Sequence, residues 1–347
     1  MVLRKVLSLI RWAVLGVLSL VSGLAGDLSF SSDGRWSVAT RWENQWPMDW
    51  HHADADREES IGEWTIYSGA IELPTGTLLV QDQERVCENG LTEVLRRWSW
   101  TGEEALSHVT LSVRTQIDVA DARPFLPGIS YYDNPAGQSI DGSVIPVIGT
   151  EVGDKGFYEE HRYPMPFAAV EGKQDGQYVT AALHALPTPL FGGNRSDQWW
   201  SIGLERVAQD RVELALLSGP VASNGRNGII KGKQKEWFDY HDTTLTLRAG
   251  EVVEKTFFLQ RASPTTRGNG FRTAIWATLE MADLETHDVY PAYRTVLQKK
   301  VGDSLRRWRE GDGFAGIHFR PDESKTWFEF GWAAQSEAFA YPMITMG

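Results

Sequence analysis

Three stretches gather side chains able to do chemistry. In Glu160-His161-Arg162-Tyr163 a carboxylate, an imidazole and a guanidinium are sequence neighbours. Arg162 there suits a bidentate grip on the carboxylate of a sugar acid. The competing reading is a solvated ion pair between Glu160 and Arg162. Between Arg123 and Gly137 the adjacent rings of Tyr131 and Tyr132 precede Asp133 and Asn134. Rings of this kind cover the apolar C–H face of a polyol, and neighbouring carboxylate and amide groups take its hydroxyls. Three prolines and two glycines in that stretch forbid a helix and make a long strand improbable. In the third stretch Gly192-Gly193 lets the backbone turn before Asn194, Arg195, Asp197, Trp199 and Trp200. Two tryptophans entering a strand point to opposite faces, so one belongs to the core and the other serves either as a sugar platform or as a packing surface for a neighbouring domain. The sugar contacts expected from these patterns are Tyr131, Tyr132, Asp133, Asn134, Arg162 and Trp199.

Cleavage of a glycosidic bond needs two carboxyl groups on opposite sides of it, roughly 5 to 9.5 Å apart. The acids nearest to aromatic loops are Asp133, Glu159, Glu160, Asp197, Glu329 and Glu337, and none is singled out as acid or base. His51-His52-Ala53-Asp54-Ala55-Asp56 invites a metal reading. It lacks the glycine and terminal glutamate of a calcium loop and the usual separation of zinc-binding histidines, so it reads as a solvated acidic loop. No metal and no cofactor are expected. The Walker, dinucleotide and Gly-x-Ser-x-Gly patterns do not occur. A net charge of −12 with no basic run excludes nucleic acid as a partner. The pattern specifies no oligomeric state.

These residues have to be held by something, and the chain around them reads as strands. Its 347 residues suffice for a large all-β domain with a smaller companion. Met1 to Gly26 resembles a secretory signal, with Arg4, Lys5 and Arg11 before a short apolar core and Gly23-Leu24-Ala25 as a cleavage site, giving a signal over 1–25. Anchoring is the alternative, but the apolar run is shorter than a spanning helix needs, and no later stretch suits a bilayer. Cys87 is the single cysteine, which fits a bacterial periplasmic, surface or secreted protein without disulfides.

From Asp27 to about residue 265, period-two alternation recurs. It is clearest at Val109–Ile117, Trp64–Ile71, Tyr178–Leu183, Trp200–Leu204, Val212–Leu216, Thr244–Leu247 and Val252–Leu259. The last two are separated by Arg248-Ala-Gly-Glu251, read as a hairpin link. The fold class expected is mainly β, a large antiparallel two-sheet β-sandwich, with a long loop from Arg123 to about Lys173. The period then lengthens. Phe271–Leu284 reads as a short helix, and Tyr293, Val296, Leu297, Val301, Leu305 and Trp308 form the stripe of an amphipathic one, within a helical linker over 266–320. A third helical pattern, Phe328–Met346, is apolar over most of its circumference, so 321–347 reads as the start of a further helical domain cut short.

Four pieces carry a resemblance: Arg123–Gly137, His161-Arg-Tyr-Pro-Met-Pro166, Phe191–Trp200 and Phe328-Glu-Phe-Gly-Trp-Ala-Ala-Gln-Ser-Glu337. In this order they look like the front of a six-hairpin glycosidase, whose N-terminal β-supersandwich leads through a linker helix into an (α/α)6 toroid. The resemblance implies glycoside hydrolysis by carboxylate acid/base chemistry, without cofactor, on poly- or oligosaccharide. It also implies that the catalytic carboxylates lie in later toroid helices. A non-catalytic carbohydrate-binding or surface structural module is the second reading. A polysaccharide lyase is the third, disfavoured because its toroid usually comes first.

Overall fold

The computed structural model describes residues 29–31, 33–43, 46–128, 137–138, 144–145, 151–160, 163–186, 200–219, 221, 244–281, 292–311 and 314–317. The signal, the tail helix and most of the stretch 129–150 lie outside them. The chain divides into two compact units, Met1–Asp283 and Leu284–Gly347.

The first unit is a two-sheet antiparallel β-sandwich. Sheet I runs in the order β12 (Lys155–Glu159), β15 (Trp200–Ala208), β16 (Arg211–Ser218), β8 (Leu106–Asp118), β2 (Trp36–Glu43) and β3 (Trp46–Ala53). The short strands β1 (Ser29–Phe30) and β17 (Leu245–Leu247) also pair with β8. Sheet II runs β4 (Arg57–Ile61), β5 (Trp64–Leu73), β6 (Gly76–Val86), β7 (Thr92–Trp100), β18 (Val252–Ala262), β14 (Gln177–Ala185), β13 (Phe167–Gln174) and β9 (Ala120–Phe125). A separate two-residue pair joins β10 (Gly137–Gln138) to β11 (Val144–Ile145).

Alternation dictates the core. Val109, Leu111, Val113 and Ile117 of β8 face Val94, Trp98 and Trp100 of β7 across the interior, and all are buried. Interrupting this apolar layer is one polar row. Tyr67 lies opposite Asp82, Asp82 opposite Arg96, and Arg96 opposite Lys255. Asp82 and Arg96 are fully buried, joined by Arg96 Nε and Nη2 at 2.6 and 2.8 Å from the Asp82 oxygens. Arg96 Nη1 donates at 2.9 Å to the Ser112 carbonyl of the opposite sheet. Trp36 Nε1 and Arg35 Nε donate to Asp82 at 2.9 and 3.0 Å. A buried carboxylate with four donors is satisfied, which a buried charge requires.

Helix α1 (Asn269–Met281) covers the outer face of β13, β14 and β18. Phe271 stacks on Phe125 at 4.7 Å, and Ala274 packs with Phe167, Ala169 and Ala182. Gly270 permits this approach, since a Cβ there would sit 1.7 Å from Thr180 Oγ1. Before the helix, Gly268 N donates to Glu171 Oε1 at 2.7 Å, offering negative charge to the positive end of the helix.

Several elements differ from expectation. Arg248–Glu251 is not a hairpin link: β17 pairs with β8 in sheet I and β18 with β7 and β14 in sheet II. The turn, with Gly250 at φ 73°, passes the chain between layers. The stretch 123–173 is not one loop, because β12 and most of β13 fall within it and Arg123–Phe125 end strand β9. Pro124 is tolerated since β9 is the edge of sheet II. His51 and His52 belong to β3 and not to a solvated loop.

In the second unit, α2 (Tyr293–Arg307) stops one residue before the predicted stripe ends. Trp308 is extended and opens β19 (Trp308–Gly311), which pairs with β20 (Phe314–Ile317). Leu297 is buried, whereas Leu305 is 60% exposed. Among the described residues no helix is long and apolar enough to cross a membrane.

Candidate functional site

The six predicted contacts, Tyr131, Tyr132, Asp133, Asn134, Arg162 and Trp199, all lie outside the described residues. Their immediate neighbours are informative. Glu160 and Trp200, distant in sequence, meet at Lys255. Lys255 Nζ is 2.8 and 3.1 Å from the two Glu160 oxygens, 2.9 Å from the Leu186 carbonyl and 5.4 Å from the Trp200 ring centre. Glu160 is therefore no solvated partner. It follows β12 into the interior and is 3% exposed. Burial lowers the Lys255 pKa, and Glu160 opposes that by favouring the ammonium. Trp200 is buried, packed on Trp98 at 5.6 Å.

The outer face of sheet I carries a richer constellation. Register sets Gln116 opposite Glu213, Glu213 opposite Glu205 and Glu205 opposite Lys155. One register step away lie Arg114, Ala215, Gly203 and Phe157. Arg114 Nε donates to Glu213 Oε1 at 2.7 Å and Gln116 Nε2 to Glu213 Oε2 at 2.9 Å. Lys155 Nζ reaches Glu205 Oε1 at 3.2 Å. From β3, the partly buried Trp50 ring lies 4.8 Å from the Arg114 guanidinium, and the Trp46 ring 4.2 Å from Lys155 Nζ. Trp46 also meets Phe157 edge-on at 5.3 Å.

Two units thus repeat side by side, each a tryptophan, a cation and a carboxylate. Gly203 lets the edge strand close on them, for a Cβ there would lie 1.9 Å from the Gly156 carbonyl oxygen. Burial pushes the Glu205 pKa up; Lys155 pulls it down and Glu213 adds to the rise. His52, opposite Ser37, is held below the usual imidazole range by burial and then by the Arg114 charge. The charges on this face are locally offset and lie beside ring surfaces, with the Lys155 and Glu205 side chains partly exposed and the Glu213 side chain 3% exposed. Among the described residues no cluster of His, Cys, Asp or Glu is arranged to hold a metal.

Sequence reasoning passed over this face, although a signal for it exists. Trp46, Met48, Trp50 and His52 recur at period two and share one side of a strand. Glu205 and Glu213 are carboxylates inside strands whose other residues are mostly apolar and buried.

No protein-family model and no curated protein matches the chain. Solved structures with a similar chain path include a GH36 alpha-galactosidase from Geobacillus stearothermophilus, in complex with stachyose. The identity is 14% and the TM-score 0.34, over 70% of this chain and 29% of that one. Another is a galactose mutarotase-like protein from Clostridium acetobutylicum, at 6% identity and TM-score 0.31, over 60% of this chain and 66% of that one. The chain thus spans less than a third of the length of the alpha-galactosidase.

Proposed function

We propose that this chain is the sandwich portion of an exported bacterial carbohydrate-active enzyme of the glycoside hydrolase type, and that it holds saccharide on the outer face of sheet I. The observation that carries the reading is the repeated tryptophan, cation and carboxylate set formed by Trp50, Arg114 and Glu213 and by Trp46, Lys155 and Glu205. Ring surface suits the C–H face of a sugar, and the ion-paired groups suit its hydroxyls. Glu205 and Glu213 stand beside one another on a single sheet. That arrangement fits recognition better than cleavage, which needs carboxyls on two sides of a bond. Acid/base hydrolysis is accordingly assigned, on the six-hairpin resemblance, to helices following the sandwich.

Calorimetric titration of the purified chain with neutral oligosaccharides tests the binding reading. Trp46→Ala with Trp50→Ala should weaken affinity about tenfold or more. Because both rings pack against Phe157 and its neighbours, the variant should melt at a lower temperature, and circular dichroism checks that it remains folded. Equal affinity in the folded double variant rejects the sheet I face. Export is checked by N-terminal mass spectrometry of the periplasmic fraction, with processing after Ala25 as the expected result. A full-length protein that binds glycans but cleaves none of a broad panel favours the binding-module reading instead.

A further inference from the structure

A cleft of about 500 Å³ opens where β1, the connection from β3 to β4, and β5 meet. Its floor is the Arg35 guanidinium, 4.3 Å from the Phe30 ring centre and 3.7 Å from that of Tyr67. Arg35 Nε donates to Asp82 and Nη2 to Glu84, so two carboxylates fix the plane of the fork and offset its charge. Nη1 makes no hydrogen bond among the described residues and is left as a donor at the cleft.

The walls are built as firmly. Asp54 Oδ1 accepts Arg35 N at 2.9 Å, and Asp56 N donates to the Ser68 carbonyl at 3.0 Å. Gly69 makes room for this segment, since a Cβ there would lie 2.9 Å from the Asp54 carbonyl oxygen and 2.6 Å from Trp36. The exposed carboxylates of Asp56 and Glu58 make no hydrogen bond among the described residues and line the same space.

We propose that this cleft is a binding site for a neutral polyhydroxylated ring, of the monosaccharide class. A hydroxyl uses both kinds of group present, giving its proton to Asp56 or Glu58 and accepting from Arg35. An anionic sugar acid or phosphate is repelled, because the wall carboxylates of Asp56 and Glu58 stand beside cations that are already paired, Arg35 with Asp82 and Glu84 and Arg57 with Glu59. A plain cation leaves the fixed fork without an acceptor. The volume lies within the range of small-ligand sites. None of these residues belongs to the tryptophan pairs of sheet I, so this site stands or falls separately from that one.

The test is titration of the purified chain with methyl galactoside, methyl glucoside, glucuronate and inorganic phosphate, followed by calorimetry or ligand-observed NMR. A neutral glycoside should bind, with glucuronate and phosphate about tenfold weaker or silent. Asp56→Ala with Glu58→Ala, both at exposed positions, should weaken the neutral glycoside about tenfold with no change in melting temperature. Trp46→Ala should leave this binding in place. Binding of no neutral glycoside, preference for the anions, indifference to the double variant, or loss in Trp46→Ala each overturns the proposal.

Discussion

Lys255 and Glu160 stand 2.8 Å apart although their strands belong to different sheets, one following β12 in sheet I and the other within β18 of sheet II. Both side chains are 4% exposed. The contact is an ionic tie between the two layers of the sandwich, placed beside the Trp98 and Trp200 rings of the core. Replacing Lys255 by Met leaves the Glu160 carboxylate buried without this cation, at a cost of about 3–5 kcal/mol. Lys255→Met combined with Glu160→Leu should cost less than the sum of the single changes. Urea unfolding of the four proteins of this cycle measures it, and strict additivity contradicts the tie.

Asp82 collects the Trp36 indole and both Arg35 and Arg96. Asp82→Ala should therefore destabilise by about 3–5 kcal/mol, since Arg96 becomes a buried cation without its carboxylate. The effect should be visible as a lower urea midpoint. Its far-ultraviolet dichroism should remain that of a β protein, because the apolar alternation is untouched.

His184 sits between sheet II and α1, its ring nitrogens 3.0 Å from Thr278 Oγ1 and from Gln260 Oε1. Burial depresses its pKa to about 4, against a smaller upward pull from the Gln260 hydrogen bond. The unfolded imidazole takes up a proton near pH 6.5, before the folded one does. Stability from this group is whole above about pH 6.5 and drains away as pH falls to about 4, by about 3 kcal/mol. Unfolding free energies across that window should show the slope, and His184→Gln should flatten it.

Gly203 faces the Gly156 carbonyl so closely that Gly203→Ala must displace β12. A loss of about 1–3 kcal/mol is expected from the overpacking. Because β12 carries Lys155, the same variant should also weaken saccharide binding on sheet I. A variant of lower stability with unaltered affinity would separate β12 from the proposed site.

How far the fold was legible depends on periodicity. Strands such as β8 and β16 announce themselves because one or both faces are apolar. β4, with the sequence Arg-Glu-Glu-Ser-Ile, is mostly exposed and is a strand only because β5 offers it an edge. His51 and His52 looked like part of an acidic loop because local composition dominated the reading, whereas pairing with β2 decides their conformation. The Gly250 turn was read as a hairpin since sequence spacing does not tell a return within one sheet from a step between two. For the site, Glu160 and Trp200 were singled out, but not the lysine on which they converge. Lys255 lies 55 residues beyond Trp200 in an unremarkable strand, and only the layering brings them together.

The row Tyr67, Asp82, Arg96, Lys255 also governs how the strands find their alignment. Sliding β6 along β7 by two positions would keep apolar faces inward and would cost the alternating pattern nothing. It would, however, set Asp82 against Val94 or Trp98 and strand a guanidinium in hydrocarbon. An unmatched interior charge costs a sizeable part of the stability of a whole domain. The carboxylate and guanidinium therefore act as a key that admits a single pairing, and substitutions along this line survive only when its members change together.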